Sequence, residues 1–298
     1  MEQINGYTLK SPLQSKHAGF CRWGFCEKNG HEYFIKEFND PPYPVHTSEL
    51  SPRIIERRLA ICKDFEDRKN EFYRELRLCR SGNNMIILDF FREGSRYYAV
   101  TEKVSDAKTD PAIIAALPDD KKEILIRSIL YSISLIQERG IVHGDLKPNN
   151  ILLKETVAGC YTAKIIDFDG GFLLSRGART MQGDEVYLSP EVFLRSEGED
   201  IILDEKIDSF ALGLLMHQYW CGRLPEFPEP FSFVHQAVIE GVKPELDRSI
   251  PAYIRRIIEK MLSLNPADRP SAAETLELMA QKEEPLEYNK YFSIPDSF

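Results

Sequence analysis

Apolar and polar residues alternate in short runs along the first hundred residues, which is the pattern of half-buried β-strands. Residues 7–38 show this alternation and contain the pair Asn29-Gly30, which favours a tight hairpin turn. Two further strand patterns cover residues 85–91 and 97–101. We therefore expect an antiparallel sheet in the N-terminal part of the chain.

Apolar residues at helical spacing predict helices between and after these strands. Ser51 and Pro52 are a cap and first-turn signal for a helix over about residues 51–62. A second helix is expected from near Asp64 to just before Gly82. Residues 121–139 then have the pattern of a buried amphipathic helix, which leads into the most distinctive polar stretch of the chain.

That stretch, residues 141–153, has the sequence IVHGDLKPNNILL. Apolar residues flank a polar centre, which predicts a loop between a helix and a strand. Its polar groups suit phosphoryl transfer: the Asp145 carboxylate can orient an attacking hydroxyl, the Lys147 cation can stabilise a phosphoryl group, and the Asn150 oxygen can bind Mg²⁺. A second apolar run ends at Asp167, which adds a carboxylate for the metal.

These residues and their spacing resemble the protein kinase family, whose catalytic loop reads H-R-D-L-x-x-x-N and whose metal motif reads D-F-G. The chain differs at two positions, because Gly144 stands in place of the arginine and Asp169 in place of the glycine. The resemblance implies an α+β fold with two lobes. A small antiparallel sheet with the family's αC helix would form the N-terminal lobe over residues 1–102, a larger and mainly helical lobe would cover residues 103–282, and residues 283–298 would form a tail.

The resemblance also implies roles for the polar residues of the loop. Asp145 would be the catalytic base and Lys147 would steady the transferred phosphoryl group, while Asn150 and Asp167 would bind Mg²⁺, with Mn²⁺ as an alternative. ATP would be the phosphoryl donor, and the Lys147 position favours a serine or threonine hydroxyl of a protein as the acceptor. Asp169 is expected to add a carboxylate beside the metal and to increase the demand for divalent cations.

Several residues of the first lobe would hold the nucleotide if the resemblance applies. Lys36 lies on a strand similar to the family's V-A-I-K strand and would bind the α- and β-phosphates. Its partner on the αC helix would be Glu71, with Glu75 one turn later as the alternative. Gly19 is the one glycine retained from the family's Gly-rich loop, in which Lys16 replaces another.

Residues 101–104 resemble the segment that joins the two lobes of a kinase. The edge of the adenine would meet the backbone there, near Glu102 and Val104.

Two other functions remain open at this point. The H-G-D and D-F-D sequences also resemble small-molecule phosphotransferases of the aminoglycoside and choline kinase type, and the eroded Gly-rich loop suits a pseudokinase, a nucleotide-binding interaction module. Three later segments resemble motifs that are found in kinases acting on peptide substrates. Glu191 ends a Ser-Pro-Glu sequence in place of A-P-E, Arg269 would pair with it, and Asp208 would brace the backbone of the catalytic loop.

The same comparison bears on regulation. The helix at about residues 51–62 would be an insertion, and this helix or αC is where we expect a regulatory partner. Phosphorylation of the activation segment, residues 167–191, is not expected to be required, because Gly144 cannot pair with a phosphate and Asp184 could pair with Lys147 directly.

Composition narrows the remaining possibilities. The net charge of −9 and the pI near 5.3 argue against binding to nucleic acid or to an anionic membrane surface. The six cysteines show neither a C-x-x-C pair nor a zinc-ligand spacing, so we expect reduced thiols. No apolar run approaches membrane-spanning length, and a cytoplasmic location is expected.

Overall fold

The alternating N-terminal stretch forms an antiparallel sheet in the computed structural model, which describes residues 2–15, 21–45, 50–105, 107–156, 159–178 and 183–281. The strands of this sheet are β1 (Gln3–Ile4), β2 (Tyr7–Leu9), β3 (Cys21–Lys28), β4 (His31–Phe38), β5 (Ile87–Glu93) and β6 (Arg96–Glu102). They lie in the order β1-β2-β3-β4-β6-β5. Gly19, Lys16 and the expected tail at residues 283–298 lie outside the described residues.

The hairpin between β3 and β4 fixes the position of Lys36 in this sheet. Asn29 and Gly30 both have positive φ angles, 54° and 78°, as the predicted tight turn requires. The register then places Lys36 opposite Trp23 on β3 and opposite Ala99 on β6. The Lys36 strand is therefore central in the sheet, and its position is determined by pairing on both sides.

One continuous helix of 27 residues, α1 (Pro52–Leu78), replaces the two helices expected from the sequence. The expected break near residue 63 is wrong because no glycine or proline interrupts this stretch. Two ion pairs at i,i+4 spacing, Lys63–Asp67 and Asp64–Arg68, instead cross the expected boundary. The proposed insertion at residues 51–62 is thus the first part of the same helix that corresponds to αC.

The C-terminal part of the chain is mainly helical. Its helices are α2 (Pro111–Ala115), α3 (Asp119–Gln137), α4 (Pro190–Ser196), α5 (Lys206–Cys221), α6 (Val234–Ile239), α7 (Ala252–Met261) and α8 (Ala272–Ala280). Helix α5 is apolar all round and lies at the centre of the core, where nearly all of its side chains are buried. Helices α2 and α7 pack against α5, α8 packs against α3, and α4 and α6 pack against each other.

Two small antiparallel ladders hold the polar loops at the edge of this helical part. Strands β7 (Ile141–Val142) and β10 (Phe172–Leu173) pair with each other, as do β8 (Ile151–Glu155) and β9 (Tyr161–Ile165). The loop after β7 and the turn after β9 consequently lie side by side, facing the sheet. The α+β architecture with two lobes, which the sequence predicted, is confirmed.

The structure also bears on the thiols and on the lengths of the helices. All six cysteines are free, and Cys26, Cys62 and Cys79 are buried. None of the helices in the described part of the chain is both long enough and apolar enough to cross a bilayer.

Candidate active site

The loop after β7 brings together the three side chains that the sequence singled out there. The Lys147 ammonium lies 2.9 Å from the Asp145 carboxylate. The Asn150 amide nitrogen donates to both the backbone oxygen of Asp145, at 2.7 Å, and its carboxylate, at 2.9 Å. Because its nitrogen is committed to Asp145, the Asn150 side chain can offer a metal only its oxygen.

Asp208 braces the backbone of this loop, as the sequence predicted. Its carboxylate lies at the start of α5, is 1% exposed, and accepts hydrogen bonds from the backbone N–H groups of His143, at 2.7 Å, and Gly144, at 2.9 Å. Burial raises the pKa of Asp208, although these two hydrogen bonds oppose the increase. The loop is thus attached to the most deeply buried helix of the protein.

The imidazole of His143 connects this loop to the turn that carries Asp167. Its Nε2 lies 3.0 Å from the carbonyl oxygen of Ile166, and its ring lies 4.6 Å from that of Phe168, centroid to centroid. Asp167 itself has a φ angle of 61°, a left-handed conformation that aspartate tolerates better than most residues. The two predicted catalytic segments therefore form one packed unit.

Lys36 faces this unit from the sheet and contacts two carboxylates. Its ammonium lies 2.8 Å from Asp167 and 2.5 Å from Asp169. Burial would lower the pKa of Lys36, but the two carboxylates outweigh burial and hold that pKa above its ordinary value. The lysine is therefore a fixed cation at the edge of the cleft.

The predicted pairing of Lys36 with Glu71 is wrong, and so is the alternative with Glu75. Glu71 binds Arg176 at 2.7 Å, and Glu75 contacts Arg139 at 3.4 Å. The reason is the orientation of α1, whose face toward the cleft carries a stripe of other residues: Lys69, Phe72, Tyr73 and Leu76. The helical spacing of these four residues was visible in the sequence, but nothing there indicated which stripe would face Lys36.

A cavity of about 280 Å³ opens between the sheet and the catalytic unit. Aromatic side chains of β3 and β4 line one wall, and Glu102 and Val104, from the segment expected to join the lobes, line the cavity as well. Lys36 and Asp167 line the same cavity. Its apolar walls suit a flat base, while the charged groups suit phosphates and their metal.

Asn150 and Asp167 fit a magnesium site of the kind that phosphates complete. Mg²⁺ in kinases is bound by one or two protein oxygens together with phosphate oxygens and water, rather than by a cage of protein ligands. The donor set here, one carboxylate and one amide oxygen, has this composition. The described segments contain no group of three or more His, Cys, Asp or Glu residues that could hold a metal ion.

The segment after the metal turn returns to the catalytic loop at Asp184. The backbone N–H of Asp184 donates to the Asp145 carboxylate at 3.3 Å, and its own carboxylate lies 3.9 Å from the Lys147 ammonium. The expected contact between Asp184 and Lys147 is therefore present without any modification of the chain.

Glu191 and Arg269 form the buried pair that the sequence predicted. The guanidinium makes two parallel hydrogen bonds to the carboxylate, at 2.7 and 2.9 Å, and the arginine side chain is 0% exposed. This bidentate geometry is the strongest that such a pair can adopt. It fixes the end of the activation segment to the helical lobe.

Comparison with known proteins agrees with these motifs. The model of the protein kinase domain family matches residues 57–279. The chain is 27% identical over 240 residues to the calcium/calmodulin-dependent protein kinase type II alpha chain of Drosophila melanogaster, a match that covers 76% of this chain and 43% of that protein. It is 27% identical over 234 residues to calcium-dependent protein kinase 8 of Arabidopsis thaliana, covering 75% of this chain and 42% of that protein.

A third relative, mitogen-activated protein kinase kinase kinase 7 of Homo sapiens, is 30% identical over 167 residues, or 53% of this chain and 26% of that protein. The chain spans less than half the length of these relatives. The family match begins inside α1, so the strand that carries Lys36 lies outside the matched residues and is placed by the structure. With its catalytic loop, metal turn and Glu191–Arg269 pair in the family's arrangement, the chain belongs to the protein kinase domain family.

Proposed function

We propose that the protein is an active serine/threonine protein kinase that transfers the γ-phosphoryl group of ATP to a protein hydroxyl. The observation that carries this proposal is the joint presence of Asp145, Lys147 and Asn150 in one hydrogen-bonded group. Phosphoryl transfer needs positioned charge more than covalent chemistry, and this group supplies it.

Each residue has a distinct task in this proposal. Asp145 accepts the proton of the acceptor hydroxyl and orients its oxygen for attack. Lys147, 2.9 Å from Asp145, stabilises the negative charge of the transferred group. Asn150 and Asp167 bind Mg²⁺, which, when bound with ATP, neutralises the phosphate charge, and Lys36 holds the α- and β-phosphates.

The relatives support the choice of a protein substrate. Two have names that describe calcium-dependent protein kinases, and the third is named as a kinase of another kinase. The Glu191–Arg269 pair supports the same choice, because it holds the end of the activation segment, against which peptide substrates bind in this family. These features argue against the small-molecule kinase that the H-G-D sequence also resembles.

A second candidate function is a nucleotide-binding interaction module without transfer activity. One observation favours it: the Lys36 ammonium forms an ion pair with the carboxylate of Asp167, which is the proposed metal ligand. In an active enzyme that carboxylate has to turn to the metal when ATP binds. The experiment below separates the two functions.

The test is a transfer assay with purified protein, Mg²⁺ and γ-labelled ATP, scored for label on the protein itself and on generic protein substrates. We expect label on serine or threonine after acid hydrolysis. Asp145→Asn should reduce transfer at least about 100-fold, because general-base catalysis contributes about 10²–10⁴-fold, while nucleotide binding stays nearly unchanged. Asp67→Asn, which removes an exposed carboxylate of α1, is the matched control.

Two results would contradict the proposal. Equal transfer by the wild type and by Asp145→Asn would remove the catalytic assignment. Binding of ATP with no transfer by the wild type to any substrate would favour the interaction module.

A further inference from the structure

Lys36 has no carboxylate partner on α1, although α1 is rich in acidic residues. Each carboxylate in the part of the helix nearest the cleft is engaged elsewhere. Their partners are Arg68 for Asp64, Tyr97 for Glu66, Lys63 for Asp67, Arg176 for Glu71 and Arg139 for Glu75. The cation on β4 must therefore be neutralised from another element.

Asp169 provides that charge from the third position of the D-F-D motif, in the short 3-10 helix Phe168–Gly170. One oxygen of its carboxylate lies 2.5 Å from the Lys36 ammonium, and the other lies 4.0 Å from the ammonium of Lys69. The Cys21 thiol also faces this carboxylate, at 3.9 Å. Two ammonium groups and a thiol thus surround the Asp169 carboxylate.

Lys69 links this carboxylate to α1. Its ammonium also donates to the backbone oxygen of Asp169 at 3.5 Å, and it lies over the rings of Phe38, at 5.1 Å, and Tyr73, at 5.5 Å. The aromatic faces favour a cation at this position. With Asp167, the group contains two cations and two anions, and its formal charges cancel.

The packing beside Asp169 leaves little freedom for α1 to move. A Cβ atom on Gly171 would lie 2.7 Å from the Phe72 ring and 2.9 Å from the carbonyl oxygen of Val142. The helix therefore rests directly on the turn, and only glycine fits at their contact. This close approach brings Lys69 of α1 within reach of Asp169.

We propose that Asp169 is a positioning residue that holds Lys36 in place for the nucleotide, and that Lys69 secures this carboxylate to α1. Asp169 thereby takes the role that the family resemblance assigns to Glu71. The aspartate at the glycine position of the D-F-G motif therefore does not weaken the motif here. It supplies the counter-ion of Lys36 that α1 does not provide. The functional part of this inference rests on the proposed kinase activity.

The arrangement has a consequence for metal binding. Lys36 contacts two carboxylates, so Asp167 can turn to Mg²⁺ while Asp169 stays with the lysine. Without Asp169, the same movement would leave Lys36 without a partner, and Lys36 and Mg²⁺ would compete for Asp167. Removing Asp169 should therefore increase the Mg²⁺ concentration needed, which is opposite in sign to the expectation from sequence alone.

The test that does not depend on activity is the rate at which the Lys36 amine is acylated by an N-hydroxysuccinimide ester of acetic acid at pH 8, measured by peptide mass spectrometry without nucleotide. Asp169→Asn removes one of the two carboxylates that hold the Lys36 ammonium, so the Lys36 amine should be acylated several-fold faster in this variant than in the wild type. Asp169→Glu should remain near the wild-type rate, and Glu71→Gln within about twofold of it. Lys63, whose side chain is 74% exposed and pairs with Asp67, is the internal reference.

Steady-state kinetics provide the second readout. Asp169→Asn should increase both the KM for ATP and the Mg²⁺ concentration at half-maximal rate several-fold, with Asp169→Glu recovering part of each. Lys69→Met should shift both in the same direction by a smaller factor. Thermal melting of each variant shows that the fold is retained.

The acylation rates of Asp169→Asn and Glu71→Gln decide whether the inference holds. If Lys36 acylation is unchanged in Asp169→Asn, or if it accelerates only in Glu71→Gln, the helix supplies the partner and Asp169 does not position Lys36. A wild type that transfers no phosphoryl group would contradict the proposed function, whereas the acylation rates would still decide the contact.

Discussion

Arg269 is the side chain whose replacement should cost the most stability outside the cleft. Its five N–H groups all have acceptors: two oxygens of Glu191 and the backbone oxygens of Lys206, Ser263 and Leu264. The guanidinium therefore ties together the activation segment, the start of α5 and the loop after α7. Methionine at this position keeps an unbranched side chain and removes every one of these bonds.

The expected cost follows from what Arg269→Met leaves behind. A buried ion pair that loses one partner costs about 3–5 kcal/mol, because the remaining charge is buried without compensation. Each backbone oxygen left without a donor adds about 1 kcal/mol unless water reaches it. We expect the free energy of unfolding to fall by at least about 4 kcal/mol, which corresponds to about 8 °C in Tm at about 2 °C per kcal/mol.

Thermal and urea unfolding of three variants would measure this cost. The double variant Glu191→Leu, Arg269→Met removes the orphaned charge and should recover at least half of the loss. Arg223→Met is the matched control, because the Arg223 side chain is 57% exposed in its pair with Asp247 and such pairs contribute only about 0–1 kcal/mol. If Arg269→Met is no more destabilised than Arg223→Met, the buried pair does not carry the stability assigned to it.

The remaining predictions concern regulation and pH. Phosphatase-treated protein and the Ser175→Ala variant should both keep transfer activity within about twofold of the untreated wild type, because Asp184 already contacts Lys147 without a phosphate. Loss of nearly all activity in both, with folding intact, would show that a phosphate is needed. Burial lowers the pKa of His235 to about 4 from its ordinary value near 6.5, and neither ring nitrogen has a hydrogen-bond partner among the described residues. Between pH 6.5 and 4 the unfolded chain binds a proton at His235 that the folded state excludes. The free energy of unfolding of the wild type should therefore fall by up to about 3 kcal/mol on acidification through this range, and that of His235→Leu should fall by less. Parallel dependences of the unfolding free energy on pH in the two proteins would contradict this assignment.

The motifs with fixed local spacing could be predicted from the sequence. One short loop carries Asp145, Lys147 and Asn150. Contacts within this loop are enough to bring the three side chains together. The longer-range contact between Glu191 and Arg269 was also predictable, because a buried guanidinium needs an acidic partner and the family resemblance supplied one. Residue type and order sufficed in both cases.

The orientation of α1 could not be predicted in the same way. Glu71 and Lys69 are two residues apart on one helix, and a rotation of about 200° separates their directions. Which of them faces Lys36 depends on how Phe72 packs against the Gly171 turn, a contact between segments about a hundred residues apart in the chain. Sequence spacing sets the stripes of a helix, whereas tertiary packing selects the stripe that meets the site.

The second departure from the family pattern, Gly144, has a conformational reason and a functional consequence. Its φ angle of 77° lies in the left-handed region, where glycine avoids the cost of about 1–2 kcal/mol that a side chain would impose. In this conformation its N–H points to Asp208, so glycine strengthens the support of the loop while giving up the arginine that pairs with a phosphate. Asp184 offsets that loss, since its N–H donates to Asp145 and its carboxylate faces Lys147. The activation segment thus contacts the catalytic residues directly. We therefore predict that regulation acts through α1 or through the position of this segment, and not through a phosphate that pairs with the residue at position 144.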